Sequence, residues 1–205
     1  MHRPYKKAKG LAFVNPLLLT EKKHIDIVNK MFPRSTGIEL EIKNKDITFS
    51  TCLRTYNETL RIKYDLMSSE TSINETRLRL YPGHRGLVSL YKFMKDLDQI
   101  AYYNHESGIH YHIDFPEYFD LSKQYLHLDE YCKKNNNWVC NALDHWRYDG
   151  NYNSRNFTTH KTWVKLHATC KTIEFRIGKM SFDYSHLVRR IYNCQNITNK
   201  LANNI

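Results

Sequence analysis

The sequence predicts an α+β fold, in which helices cover the apolar face of a mainly antiparallel sheet and the polar face stays open. Four short segments alternate between apolar side chains and Glu, His or Arg, as expected of strands that turn one face toward a core. Helical patterns follow or separate these segments. The predicted strands span residues 37–42, 75–80, 108–114 and 172–177.

Apolar residues at helical spacing predict four helices. The clearest follows the Pro-Gly turn at residues 82–86, because Leu87, Leu90, Met94 and Leu97 share one side of a helix. The four predicted helices lie within residues 20–32, 87–100, 121–132 and 185–201.

The remaining segments carry weaker patterns. Residues 1–19 are expected to form an N-terminal arm, residues 46–64 to continue the strand-like alternation, and residues 135–160 to form a loop. A chain of 205 residues is long enough for one sizeable core and short for two. Residues 1–205 are therefore expected to form a single domain.

Composition narrows the class of protein. A hydrophobic fraction of 41% and a charged fraction of 25% are ordinary for a folded domain and argue against extensive disorder. No apolar run reaches the ~20 residues of a membrane span. The five cysteines form no Cys-x-x-Cys pair and are expected to be reduced thiols of a cytoplasmic protein.

The net charge indicates anionic partners. The formal charge is +10 and the pI is near 9.3, so nucleotides, nucleic acids and acidic substrates are all compatible with it. A nucleic-acid partner is not favoured, because no recognised nucleic-acid-binding motif occurs and the cations are scattered, apart from the clusters Lys6-Lys7-Ala-Lys9 and Arg189-Arg190.

The polar side of two predicted strands carries groups that bind metals. Glu39 and Glu41 lie two residues apart, about 7 Å along one strand face, where two carboxylates repel each other unless a cation lies between them. His110 and His112 repeat this spacing with imidazoles that can ligate a metal. Either pair taken alone is equally explained by a strand whose polar face is simply exposed to solvent.

The last predicted strand combines a carboxylate with a cation. Glu174 and Arg176 share its polar side, and a guanidinium suits phosphate oxygens. Since the polar sides of all four strands carry such groups, we expect them to form one active face.

The order of these motifs resembles the amidoligase family of phages and bacteria. A Glu-x-Glu strand comes first, then Glu75 before Arg-Leu-Arg, a Gly-x-His-x-His strand at 108–112, and an Ile-Glu-Phe-Arg strand followed by a helix. The resemblance runs from about Thr36 to the final helix. The family belongs to the carboxylate–amine ligases, which include glutamine synthetase and glutamate–cysteine ligase.

The resemblance implies a curved sheet of the glutamine-synthetase type and an ATP- and Mg²⁺-dependent reaction. In these ligases a carboxylate attacks the γ-phosphate of ATP to form an acyl phosphate, and an amine then displaces phosphate. The substrates would be small molecules or peptides that supply the carboxylate and the amine.

The resemblance also implies roles for individual residues. It assigns Arg176 to phosphate and catalysis, with Arg155 as a second such arginine and Arg147 and His112 as further candidates for the nucleotide. The family pattern has another acidic ligand near the second strand, but here Arg77 follows Glu75. Either water or substrate completes the metal sites, or fewer ions bind. The implied metal ligands are Glu39, Glu41, Glu75, His110 and Glu174.

Two other classes of function stay open at this point. A metal-dependent phosphodiester hydrolase would use the same Glu and His residues without ATP. An inactive protein of the ligase fold would use its basic face only to bind a partner.

Overall fold

The computed structural model describes residues 3–44, 57–71, 75–103, 107–117, 128, 164–167 and 170–203. The helices are α1 (Arg3–Val14), α2 (Lys22–Met31), α3 (Asn57–Tyr64), α4 (Gly83–Ile100) and α5 (Tyr184–Ala202), and Pro16–Leu18 form a 3-10 turn. The strands are β1 (Thr36–Leu40), β2 (Lys43–Asn44), β3 (Ser68–Thr71), β4 (Thr76–Leu80), β5 (Ala101–Tyr102), β6 (Gly108–Asp114), β7 (Val164–His167) and β8 (Thr172–Lys179).

Six strands form one open antiparallel sheet in the order β3-β4-β1-β6-β8-β7. The four strands predicted from alternation are β1, β4, β6 and β8, which occupy its four inner positions. The edge strands β3 and β7 flank them. The predicted α+β class with a mainly antiparallel sheet is therefore confirmed.

The sheet has one apolar face and one polar face. On β4 the side chains of Leu78 and Leu80 are buried while Arg77 and Arg79 are exposed, as the two-residue period of a strand requires. The same alternation continues across the sheet. The buried side chains of the inner strands include Ile38, Leu40, Ile109, Tyr111, Ile113, Ile173 and Phe175.

Helices cover the apolar face. Helix α4 packs against β4 and α5 packs against β6, while α1 packs against α2 and α5. The segment expected to be an N-terminal arm is largely the helix α1, whose Ala8 and Ala12 are fully buried in the core. Within the part of the chain that the structure describes, no helix is both long and apolar enough to cross a membrane.

A buried polar contact joins α5 to the start of β1. Gln195, 1% exposed, donates from Nε2 to the Arg34 carbonyl at 2.8 Å and to the Thr36 hydroxyl at 3.0 Å. Its Oε1 accepts the Arg34 amide hydrogen at 3.2 Å. The guanidinium of Arg34 forms a two-pronged ion pair with Glu117, just beyond β6. These bonds hold the helix layer in register with the central strands.

Three predicted helices are confirmed as α2, α4 and α5. The strand-like assignment of residues 46–64 is wrong from Asn57 to Tyr64, which form α3. In α3, Leu60 and Tyr64 face the core one helical turn apart, whereas Ile62 is 67% exposed. Because Leu60, Ile62 and Tyr64 recur at every second position, this short segment fits the two-residue period of a strand, while Leu60 and Tyr64 alone also fit the period of a helix.

Three predicted segments lie largely or wholly outside the described residues, and the first is the strand-like segment 46–64, of which residues 46–56 are not described. From the helix predicted within 121–132 the structure describes only Leu128, which is buried. The loop predicted at 135–160 falls entirely outside them.

Candidate metal centre

Strand register brings five polar side chains together on the open face of the sheet. Glu39 on β1 is the cross-strand neighbour of His110 on β6, and His112, two residues along, is the neighbour of Glu174 on β8. His167 lies on the edge strand β7, which pairs with β8. Because side chains alternate along each strand, all five point to the same face.

Glu39, His110 and Glu174 form a first triad of metal donors. The Nδ1 of His110 lies 3.0 Å from Glu39 Oε2 and 3.3 Å from Glu174 Oε1. One donor atom from each residue lies within 4.8 Å of the others. His110 is 5% exposed and Glu174 is 3% exposed, so this triad is largely removed from water.

His112, His167 and Glu174 form a second triad that shares Glu174 with the first. The Nε2 of His167 lies 2.7 Å from Glu174 Oε2, and the Nε2 of His112 lies 3.9 Å from Glu174 Oε1. His112 Nε2 also lies 3.2 Å from Glu39 Oε1. The two triads therefore form one continuous cluster of two carboxylates and three imidazoles.

Two imidazole nitrogens in this cluster are buried without a hydrogen bond among the described residues, namely the Nε2 atoms of His110 and His112. His110 Nε2 has Glu41 Oε1 at 3.7 Å, which is beyond hydrogen-bond distance. A buried polar atom without a partner costs free energy. Such atoms, with carboxylates beside them, fit a divalent cation or a bound substrate group.

The carboxylates and His110 shift each other's pKa. Burial raises the pKa of the Glu39 carboxyl, but its close contacts with the His110 and His112 imidazoles outweigh burial and hold the pKa well below its usual range. Burial acts on Glu174 in the same way, and hydrogen bonds from His110 and His167 likewise hold its pKa well below the usual range. Burial lowers the pKa of His110, but its bonds to Glu174 and Glu39 raise it to about 9. Without a metal, the proton on His110 therefore balances part of the charge of these two carboxylates.

Two of the five predicted metal ligands lie beside the triads and not in them. Glu41 follows the last residue of β1, and its Oε2 accepts the Gly108 amide hydrogen at 2.8 Å. Glu75 precedes β4, and its Oε1 accepts from Arg77 Nε at 3.1 Å. Burial and a hydrogen bond with Glu39 raise the pKa of the Glu75 carboxyl. Each of these carboxylates therefore already has a protein partner.

Arg176 lies against the cluster, as its position two residues after Glu174 predicts. Its Nε is 3.4 Å from Glu174 Oε1. Here β8 carries a bulge, because Ile109 pairs with Gly178 and Tyr111 pairs with Phe175, so two residues of β8 oppose His110. Bulges redirect side chains at functional sites. The predicted site residues Arg147 and Arg155 lie outside the described residues.

A groove of about 750 Å³ opens beside the cluster on the same face. Its walls include Glu39 and His112 from the cluster, Arg77 and Arg79 from β4, and Asp114 from the end of β6. This volume is within the usual range of small-molecule sites. The groove therefore gives a ligand direct access to the metal-donor cluster.

Gly37 sets the position of His112 at the floor of this groove. The two residues are cross-strand neighbours, and a Cβ added at Gly37 would lie 3.0 Å from the Cβ of His112. That contact is tighter than most Cβ contacts, so a side chain at Gly37 would require His112 to shift by a few tenths of an ångström.

Sequence reasoning missed His167. Val164 and Leu166 are buried and alternate with Lys165 and His167, so a period of two was present. Four residues are too few for that period to stand out from chance, and no flanking glycine or proline marked a strand.

Comparison of the sequence with protein-family models and with curated proteins finds no match to either.

Proposed function

We propose that the protein is an ATP-dependent carboxylate–amine ligase with a divalent cation bound on the open face of the sheet. The observation that carries the proposal is the convergence of Glu39, His110 and Glu174, with Arg176 beside them. These are the residue types, in the order along the chain, that the amidoligase resemblance implies for metal and phosphate. A sheet of the glutamine-synthetase type is part of the same proposal.

The donor set fits Mg²⁺ or Mn²⁺. Glu39 and Glu174 offer the hard oxygen ligands that both ions take, and the imidazole of His110 suits Mn²⁺ better than Mg²⁺. When bound, the cation would neutralise charge on the transferring phosphoryl group. Metal binding would also replace the protons that balance the two carboxylates.

We assign to Arg176 the recognition of phosphate. Its guanidinium presents a planar fork of donors that matches two phosphate oxygens, and it lies at the edge of the metal-donor cluster. A cation at this position would stabilise the negative charge that develops on the phosphoryl group in the transition state.

We assign the acid substrate to the groove. Arg77 and Arg79 line it, and each is about half exposed. In the proposed reaction, the substrate carboxylate attacks the γ-phosphorus of ATP, and ADP leaves. The amine then attacks the acyl carbon and phosphate departs, which forms the amide. The work of the protein is to hold the reacting groups in line and to exclude water.

The test is ADP release with Mg²⁺ or Mn²⁺ and ATP, screened over pairs of acids and amines. The proposal expects release that needs both substrates and yields one amide per ADP. Glu174→Gln should abolish it, while the matched surface change Glu58→Gln on α3 should not. Because Glu174 is buried, melting of each variant must be measured first, and Glu39→Gln provides a second, less buried disruption of the same triad.

A metal-dependent hydrolase is the second candidate, and the second triad favours it. Two histidines and one glutamate form a donor set that catalytic zinc uses, with the remaining position open for water. This alternative predicts cleavage of phosphodiesters with Zn²⁺ or Mn²⁺ and no ATP. His167→Gln would then remove activity as completely as Glu174→Gln. In the ligase, metal-dependent ADP release should survive His167→Gln in part.

A further inference from the structure

We propose that a second, basic groove on the helical side of the protein binds single-stranded nucleic acid. This basic groove lies between α1 and α5 and is lined by Lys6, Lys9, Gly10, Phe13, Arg189 and Tyr192, with a volume of about 530 Å³. It shares no lining residue with the groove beside the metal-donor cluster. The inference is independent of the proposed ligase activity.

The charge of the basic groove is of one sign. Three cations line it, and neither α1 nor α5 contains Asp or Glu. Among the described residues, no carboxylate forms an ion pair with Lys6, Lys9 or Arg189. Glu21, near α1, instead pairs with Lys7 and Lys23. Cations gathered without counter-charges are suited to the phosphates of an extended anion.

Aromatic rings form part of the wall of the basic groove, and one of its three cations, Lys9, lies over them. Lys9 Nζ lies 5.0 Å from the ring centroid of Tyr192 and 5.7 Å from that of Phe13. The two rings meet edge to face at 5.8 Å, and Phe32 supports Tyr192 from the core at 5.7 Å. Fixed aromatic rings beside cations are what single-stranded nucleic acids bind, since bases stack and phosphates pair. A ligand with phosphates alone would use only half of this surface.

A glycine, Gly10, forms part of the wall of the basic groove. It lies in the middle of α1, where glycine destabilises a helix relative to alanine. A Cβ at Gly10 would meet no atom within 4 Å, so packing within the protein does not require glycine there. Its missing side chain leaves the wall of the basic groove open, as close approach of a ligand backbone requires.

The binding test uses a fluorescent, mixed-sequence RNA strand of about 12 nucleotides, which matches the span of small single-strand sites. Anisotropy titrations would compare the full chain with the triple variant Lys6→Gln, Lys9→Gln, Arg189→Gln. The matched control neutralises Lys22, Lys30 and Lys95, which are exposed on α2 and α4. Both variants have the same net charge, and thermal melting would establish that both fold.

We expect the groove variant to lose roughly 10-fold or more in affinity. Its log–log salt slope should fall by about 2, since each lost phosphate contact on a single strand removes about 0.7. The control variant should lose much less. Equal losses in both variants would overturn the proposal, because binding would then follow net charge alone.

Two further measurements separate nucleic acid from other phosphate ligands. Inorganic polyphosphate at matched phosphate concentration should compete poorly, and equal competition would contradict a site that reads bases. Gly10→Ala should raise the melting temperature by roughly 1–3 °C while weakening RNA binding. Unchanged RNA affinity in this more stable variant would show that RNA does not approach Gly10 closely, which would contradict binding in this groove.

Discussion

The imidazole of His110 donates a hydrogen bond from Nδ1 to the Oε2 of Glu39 at 3.0 Å, across the adjacent strands β6 and β1. Both groups are largely buried, and His110 also contacts Glu174 at 3.3 Å. Two buried carboxylates held around one imidazole form a ligand set that a divalent cation can enter when the imidazole loses its proton.

Mn²⁺ should stabilise the wild-type protein and should fail to stabilise Glu174→Gln. A ligand at about 100 times its Kd adds about 2.7 kcal/mol, which corresponds to a rise in Tm of roughly 5–10 °C for a chain of this size. Glu174 belongs to both triads, so its loss should remove the whole shift. Differential scanning calorimetry with and without Mn²⁺ measures this. A full shift in the variant would show that the ion binds elsewhere.

Gly37→Ala should weaken metal binding more than it weakens the fold. The added methyl group presses on His112 at 3.0 Å, while alanine is tolerated in a strand. We expect a several-fold loss of Mn²⁺ affinity by calorimetric titration, with the free energy of unfolding changed by less than about 1 kcal/mol. Unchanged affinity would mean that His112 is not a ligand or that the strand yields at no cost.

Arg176→Lys should impair turnover although the charge is kept. The ammonium lacks the planar fork of the guanidinium. Once the two substrates are known, we expect kcat at saturating Mg-ATP to fall at least ~10-fold, with a smaller change in nucleotide affinity. Equal kcat values would reduce Arg176 to a structural partner of Glu174.

Asp183 should make α5 sensitive to acid. Its Oδ1 accepts the Ser185 and His186 amide hydrogens at 2.7 and 3.4 Å, which caps the helix. Hydrogen bonds from the Ser185 hydroxyl and these amides lower the pKa of the Asp183 carboxyl. Because the folded pKa lies below the unfolded value, this stabilisation is present above pH ~4 and is lost as the pH falls further.

Two substitutions separate the charge of Asp183 from its cap. Asp183→Ala should cost about 1 kcal/mol at pH 7. Asp183→Asn should keep most of the cap and lose the acid dependence that this residue contributes. Urea unfolding at pH 3, 5 and 7 measures both, because these pH values lie below and above the ordinary pKa of an Asp side chain. An unchanged pH profile in the Asn variant would contradict the assignment.

The strands could be predicted from sequence where their two faces differ chemically. β4 is the clear case, since Leu78 and Leu80 alternate with Arg77 and Arg79. Strand β3, Ser68–Thr71, is polar throughout and pairs only at the edge of the sheet, so it carries no such pattern. The eight residues of α3 are too few for the spacing of their apolar side chains to distinguish a helix from a strand.

The residues of the candidate site were also predictable where they lie within strands and not where they lie just outside them. Glu39, His110 and Glu174 lie within strands, where alternation determines which face each side chain takes. Glu41 and Glu75 lie one residue outside β1 and β4, where the regular strand ladder has ended, although the Glu41 amide still donates to the Gly108 carbonyl at 3.0 Å. Glu41 accepts from Gly108 of the neighbouring strand β6, a contact that sequence spacing does not predict. Glu75 instead pairs with Arg77, two residues along on β4 itself.

The metal centre is tested most directly by anomalous X-ray scattering from crystals soaked in Mn²⁺. We expect a peak about 2.0–2.3 Å from a carboxylate oxygen of Glu39, a nitrogen of His110 and a carboxylate oxygen of Glu174. A second peak between His112 and His167 would show that both triads bind. Anomalous peaks found only away from Glu174, or none at saturating Mn²⁺, would contradict a metal centre on this face.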